Sequence, residues 1–202
     1  MKNLLRHYRL TAFIGMTFLS SWMCWLTIFN ELKPSLFEFD SGTLLVFLLG
    51  AYAPSLVALA LSFYLDGAAG VKGLLRRLLM WRVGWSWNCL ALLAGPCIYV
   101  AAILLYANTG GFLGSINYGL LPWIPVVLLV SLFLGPLAEE LGWRGFVLSN
   151  MDTKAKPVRS ALIMGLIWGA WHIPLFWAVI GTSVSGFPVT PISVSLFFLS
   201  TI

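Results

Sequence analysis

Four long runs without Asp, Glu, Lys or Arg constrain this chain more than any other feature. They cover residues 10–30, 41–65, 83–138 and 160–202. A charged side chain at the centre of a bilayer costs roughly 2.5–3.5 kcal/mol on insertion scales, whereas about 20 apolar residues cross ~30 Å of hydrocarbon as one helix. The runs therefore predict an integral membrane protein built from helices.

The number of crossings follows from the turn-rich stretches inside the two longest runs. Glycine, serine and asparagine interrupt the third run at residues 108–117, and a similar stretch at 181–188 interrupts the fourth. We therefore expect an all-α fold, a polytopic transmembrane helical bundle with five complete spans and an incomplete sixth, in a single transmembrane domain over residues 1–202. The predicted spans are 10–30, 43–65, 84–107, 118–149, 158–180 and the incomplete 189–202.

Composition excludes several other classes of protein. With 60% hydrophobic and 9% charged residues, the chain is neither disordered nor a coiled coil or secreted disulfide scaffold. Its net charge of +5 comes from basic residues scattered over short connections, so no nucleic-acid partner is expected. Cys24, Cys89 and Cys97 lie in apolar stretches and indicate buried hydrophobic residues.

The basic connections also predict the orientation. Lys and Arg cluster before residue 10, at 72–82 and at 154–159, and they alternate with connections that are acidic or neutral. The positive-inside rule then places the N-terminus and these segments in the cytoplasm. We expect a multi-pass protein of a bacterial cytoplasmic membrane, with membrane lipid as a partner.

Two adjacent carboxylates, Glu139 and Glu140, stand out because apolar sequence both precedes and follows them. Ionisable residues in such a setting usually mark a pathway or an active site. The alternative is that the fourth span ends at Pro136 and leaves the pair at the membrane interface.

Spacing gives the two carboxylates different roles. Glu140 and Arg144 are four residues apart and share a helix face, so they are expected to pair. Glu139 is rotated by about 100° from Glu140 and is the freer of the two to act as a general base. An ordinary helix ion pair remains the alternative explanation for Glu140 and Arg144.

The next span carries a histidine, His172, one turn after Trp168. Gly165 and Gly169 form a small-residue pair that allows close approach of another helix. Counted from the cytoplasmic ends at ~1.5 Å per residue, Glu140 and His172 differ in depth by only about 7 Å. A site shared by the two helices is therefore feasible, although a lone histidine can also serve as an interhelical hydrogen-bonding group.

The pattern Glu139-Glu140-x-x-x-Arg144, followed by aromatic-x-x-x-His172 on the next span, resembles the CPBP intramembrane proteases. This family contains the type II CAAX prenyl endopeptidases and the bacterial Abi proteins. Two departures are visible. The second motif of the family usually begins with Phe where this chain has Trp168, and the family has a later helix with a second histidine followed by Asn or Asp. Only His7 and His172 are present here.

The resemblance implies peptide-bond hydrolysis within the membrane. Glu139, Glu140, Arg144 and His172 are the expected catalytic residues, with Glu139 activating water and His172 binding that water or stabilising the oxyanion. The expected partner is a peptide or protein substrate, including a lipidated one. Because the distal motif does not appear, we expect this chain to be catalytically incomplete.

The resemblance also admits a divalent metal such as zinc. A catalytic zinc normally has about three protein ligands, and Glu139, Glu140 and His172 would have to supply all of them. The residues themselves therefore assign no cofactor.

Two other functions remain open. A non-catalytic membrane scaffold or bacteriocin-immunity protein would keep the fold without hydrolysis. A proton-coupled transporter would use the two glutamates and His172 as a relay, but no inverted repeat is visible.

Overall fold

The computed structural model describes residues 2–33, 38–80, 82–111, 118–151, 153–177 and 189–201. The predicted loop at 181–188 and the last residues of the fifth predicted span, 178–180, lie outside the described residues. No residue in the described ranges lies in a strand, which confirms the all-α fold. The helices are α1 (Lys2–His7), α2 (Arg9–Thr27), α3 (Ser41–Leu78), α4 (Trp85–Asn108), α5 (Ile124–Leu134), α6 (Pro136–Glu140), α7 (Pro157–Trp171) and α8 (Pro191–Thr201).

Within the described ranges, four stretches are long and apolar enough to cross a membrane: Arg9–Thr27, Ser41–Leu78, Trp85–Asn108 and Leu121–Asn150. They overlap the first four predicted spans. The contacts of the chain divide it into two units, one formed by residues 1–77 and 131–202 and the other by residues 78–130. The first unit holds every predicted site residue. The expected single domain and its exact spans remain predictions.

The fourth predicted span is not one uniform helix. A 3-10 helix at Tyr118–Trp123 leads into α5, and the chain leaves helical geometry at Gly135 before α6 begins. A π-helix at Leu141–Val147, here called the π segment, follows α6. Gly135 and Pro136 explain the break, because proline has no N–H and restricts the residue before it.

Proline also shortens the fifth predicted helix. Helix α7 ends at Trp171, and His172 is its C-terminal cap. Pro174 cannot donate a backbone hydrogen bond to Ala170, so the chain continues as a 3-10 helix at Ile173–Trp177. His172 therefore lies at a helix end and not within a straight span.

Helix α3 contains a sharp bend at Gly67. The backbone there has φ 68° and ψ −158°, a conformation open to glycine and rarely to other residues. The bend separates an apolar part that ends at Asp66 from a basic part that carries Arg76 and Arg77.

An aromatic cluster forms the centre of the first unit. Trp143 from the π segment contacts Phe13 at 5.4 Å and Trp171 at 5.7 Å between ring centroids, and both contacts are edge to face. The Trp171 indole donates to the Ser21 hydroxyl, which donates to the Gly50 carbonyl. Trp171 and Ser21 thus pair their donors within the protein, whereas the buried Trp143 indole nitrogen and the Thr17 and Ser55 hydroxyls have no hydrogen-bond partner among the described residues.

The π segment lies directly against α3. A Cβ atom added at Gly142 would lie 2.5 Å from the backbone carbonyl of Pro54, whereas one added at Gly15 would meet nothing within 4 Å. Glycine at position 142 is therefore needed for this approach, and it fixes the segment that follows Glu139 and Glu140.

We predict that Gly142→Ala destabilises the protein by about 1–3 kcal/mol, the usual cost of overpacking a well-filled core. Gly15→Ala is the matched control and should be neutral or slightly stabilising, because alanine is the better helix former. Thermal unfolding in detergent measures both variants. Equal midpoints for the two variants would contradict the predicted close packing.

Candidate active site

Glu139 lies in the last turn of α6 and is partly buried. Its Oε2 atom accepts a hydrogen bond of 2.7 Å from the indole Nε1 of Trp168 on α7. The carboxylate therefore points towards α7. The sequence predicted Glu139 to be the freer of the two glutamates, but it has this specific partner.

His172 is 7% exposed and packs among aromatic rings. Its ring centroid lies 4.4 Å from that of Trp168, 4.7 Å from that of Trp171 and 5.5 Å from that of Phe197. The Nδ1 atom lies 2.8 Å from the backbone carbonyl oxygen of Trp168. A carbonyl oxygen only accepts, so this bond requires a proton on Nδ1. In the neutral ring, Nε2 then keeps its lone pair.

Trp168 thus contacts both predicted catalytic side chains. Its indole N–H binds the Glu139 carboxylate, and its backbone carbonyl and its ring bind His172. The structure therefore links Glu139 and His172 through one residue of α7. The cavity expected between them stays a prediction.

Glu140 turns towards Arg144, as the four-residue spacing predicts. The Arg144 guanidinium donates to Glu140 Oε1 in an ion pair, with 64% of the Arg144 side chain and 27% of the Glu140 side chain exposed. Arg144 is the exposed residue of the π segment, and its six neighbours there are buried. This pair is more accessible than the contact between Glu139 and Trp168.

Helix α8 covers the glycine side of α7. A Cβ atom at Gly169 would lie 2.8 Å from the Phe198 ring, so the predicted close approach of a neighbouring helix is confirmed there. Gly165 is buried as well. The centroid of the adjacent Phe197 ring lies 5.5 Å from that of the His172 ring, so α8 also covers part of the histidine.

Sequence reasoning missed two of these residues in their present roles. Trp168 was expected only as an aromatic neighbour of His172, and its bond to Glu139 depends on how α6 and α7 pack. Phe197 gave no signal, since an apolar residue in an apolar helix indicates nothing beyond burial.

The donor set does not match a three-ligand metal site. No group of three His, Cys, Asp or Glu side chains in the described ranges is placed to hold a metal ion. Glu140 is engaged by Arg144, and Glu139 by Trp168. The zinc implied by the resemblance therefore stays a prediction.

The part of the chain that holds the candidate site also matches a known protein family. Residues 121–195 match the family of Rce1-like type II CAAX prenyl endopeptidases. CAAX prenyl protease 2 of Methanococcus maripaludis is 30% identical over 88 residues, which cover 41% of this chain and 31% of that relative. No solved structure gives a significant match. The family resemblance predicted from the two motifs is confirmed.

We predict that Arg144→Ala lowers the amount of folded protein, because it leaves the Glu140 carboxylate without its partner in an apolar segment. Adding Glu140→Gln should restore part of the loss, since the unpaired charge is then removed. Arg159→Ala removes a basic side chain elsewhere and is the control. Size-exclusion profiles of the membrane extracts compare the four proteins. A double variant that behaves no better than Arg144→Ala would contradict the pairing.

Proposed function

We propose that this chain carries the catalytic glutamate and one histidine of an intramembrane endopeptidase that hydrolyses a peptide bond with a glutamate-activated water. The observation that carries the proposal is the contact of Glu139 and His172 with a single residue, Trp168. The family match over residues 121–195 supports the reaction class. Since the chain covers only 31% of its curated relative, further catalytic groups outside these residues are compatible with the proposal.

In this mechanism Glu139 is the general base. Its carboxylate takes a proton from water as the water oxygen attacks the carbonyl carbon of the substrate. The peptide C–N bond then breaks, and the proton passes from Glu139 to the departing amine nitrogen. General-base catalysis of this kind contributes about 10²–10⁴-fold.

His172 holds the attacking water in place. With Nδ1 donating to the Trp168 carbonyl, Nε2 accepts a hydrogen bond from the water. The aromatic rings of Trp168, Trp171 and Phe197 fix the imidazole plane. A histidine fixed on three sides loses little entropy when it binds the water.

Trp168 acts as a positioning residue. Its indole N–H directs one carboxylate oxygen of Glu139, which leaves the other oxygen for the water.

We propose a peptide with an apolar or lipidated segment as substrate, because the site lies within apolar helices and the curated relative is named a prenyl protease. Arg144 serves the site indirectly by neutralising Glu140.

We predict that Glu139→Gln and His172→Ala each lower kcat for peptide hydrolysis by about 10²-fold or more, because each removes a group that handles the attacking water. Glu31→Gln and His7→Ala are matched controls that change the same residue types elsewhere. The measurement is cleavage of a fluorogenic prenylated peptide by the full-length protein in lipid vesicles. Wild-type turnover by Glu139→Gln would remove the general-base assignment and favour a non-catalytic scaffold.

Trp168→Phe should lower kcat by about tenfold, the effect of losing one charge-assisted hydrogen bond, with little change in KM. Phenylalanine keeps an aromatic ring beside His172 but cannot donate to Glu139. Trp171→Phe is the matched control. It loses the buried bond to Ser21 and should lower stability while leaving kcat per folded molecule close to wild type. The same result for both variants would assign Trp168 a purely structural role.

A further inference from the structure

A second polar site lies away from Glu139 and His172. A cavity of about 320 Å³ opens where α2 begins, where α3 bends and where the π segment ends. Its lining includes Arg9, Asp66, Gly73, Arg77 and Asn150. Neither the proposed mechanism nor the family match gives this cavity a role.

The cavity has more positive than negative charge. Asp66 is its carboxylate, and that group is already faced by Arg9 at 3.8 Å and by Arg6 at 3.5 Å. Arg77 forms no ion pair with a carboxylate in the described part of the chain, and its guanidinium donates to the Gly145 carbonyl. The lining therefore holds two guanidinium groups, of Arg9 and Arg77, and one carboxylate, which a third guanidinium, that of Arg6, also pairs.

Both arginines that line the cavity keep unused donors. Arg9 donates to the Asn150 side-chain oxygen at 3.1 Å, and Arg77 uses one nitrogen for Gly145. A guanidinium group carries five N–H donors, so several remain for a ligand. Fixed, planar donor sets of this kind match the oxygens of phosphate.

Two glycines form part of the cavity wall on the α3 side. Gly70 and Gly73 both line it, and a Cβ atom added at Gly73 would meet nothing within 4 Å. A larger side chain can therefore be introduced at this lining position without an initial clash.

We propose that this cavity binds a phosphate group. The arginines lie at the ends of apolar helices, the level at which phosphates of lipid headgroups occur. An anionic lipid and free phosphate share this chemistry, and the test separates the two sources. The predicted orientation places the cavity on the cytoplasmic side, where anionic lipid is abundant.

The test measures binding to the purified full-length protein in a neutral detergent by native mass spectrometry. Three probes are compared: a phosphatidylglycerol, the diacylglycerol with the same acyl chains and no phosphate, and inorganic phosphate. We expect the phosphatidylglycerol to bind and the diacylglycerol not to bind. Binding of inorganic phosphate as well would support the phosphate group as the sufficient ligand, whereas binding of the lipid alone would support a headgroup site.

Two variants test the location, each with a matched control. Arg77→Gln should weaken binding about tenfold, the usual effect of losing a charge-assisted contact, whereas Arg76→Gln removes an adjacent charge outside the lining and should not. Gly73→Leu should fill the cavity and abolish binding, whereas Gly15→Leu introduces the same side chain elsewhere.

The two pairs of variants also keep the proposal testable if one variant does not fold. If Arg77→Gln fails to fold because it loses its bond to Gly145, the comparison of Gly73→Leu with Gly15→Leu decides. Equal binding of the diacylglycerol, equal weakening by Arg76→Gln and Arg77→Gln, or unchanged binding by folded Gly73→Leu would each overturn the proposal.

Discussion

Pairing of buried polar groups within the protein is the constraint on which the candidate site depends. Water is scarce between apolar helices, so an unpaired carboxylate or imidazole there is costly. Trp168 meets this requirement for two helices with one residue, because its indole binds Glu139 and its carbonyl binds His172. The same contacts link both groups to one residue of α7.

The chemical identity of the side chain at position 168 matters as much as its position. The family pattern usually has phenylalanine at this place, and phenylalanine would supply the ring contact with His172 but no donor for Glu139. In this chain the indole adds an orientation for one carboxylate oxygen. The presence of tryptophan where the family usually has phenylalanine therefore has a physical consequence. Trp171, in the core, offers a direct contrast. Trp171 uses its N–H to bind Ser21, within the core.

Much of the site could be predicted from local spacing. Glu140 and Arg144 pair because four residues bring side chains to one helix face, and Trp168 contacts His172 for the same reason. The bond between Glu139 and Trp168 could not be predicted in this way. It depends on the break at Gly135 and on the π segment, because both change the direction in which later side chains leave the helix axis. It also depends on packing between two residues that are 29 positions apart in the sequence. The end of α7 at Trp171, by contrast, had a visible signal in Pro174.

The π segment connects these features. A π-helix adds a residue to the turn, so its hydrogen bonds are less favourable than those of an α-helix, and such turns occur often at functional sites. Here Gly142 packs on the Pro54 backbone, and the Gly145 carbonyl accepts from Arg77. Contacts to α3 at both glycines compensate for the unfavourable geometry. These contacts lie on both sides of Arg144, which pairs with Glu140, whereas Glu139, the residue before Glu140, bonds to Trp168 on α7.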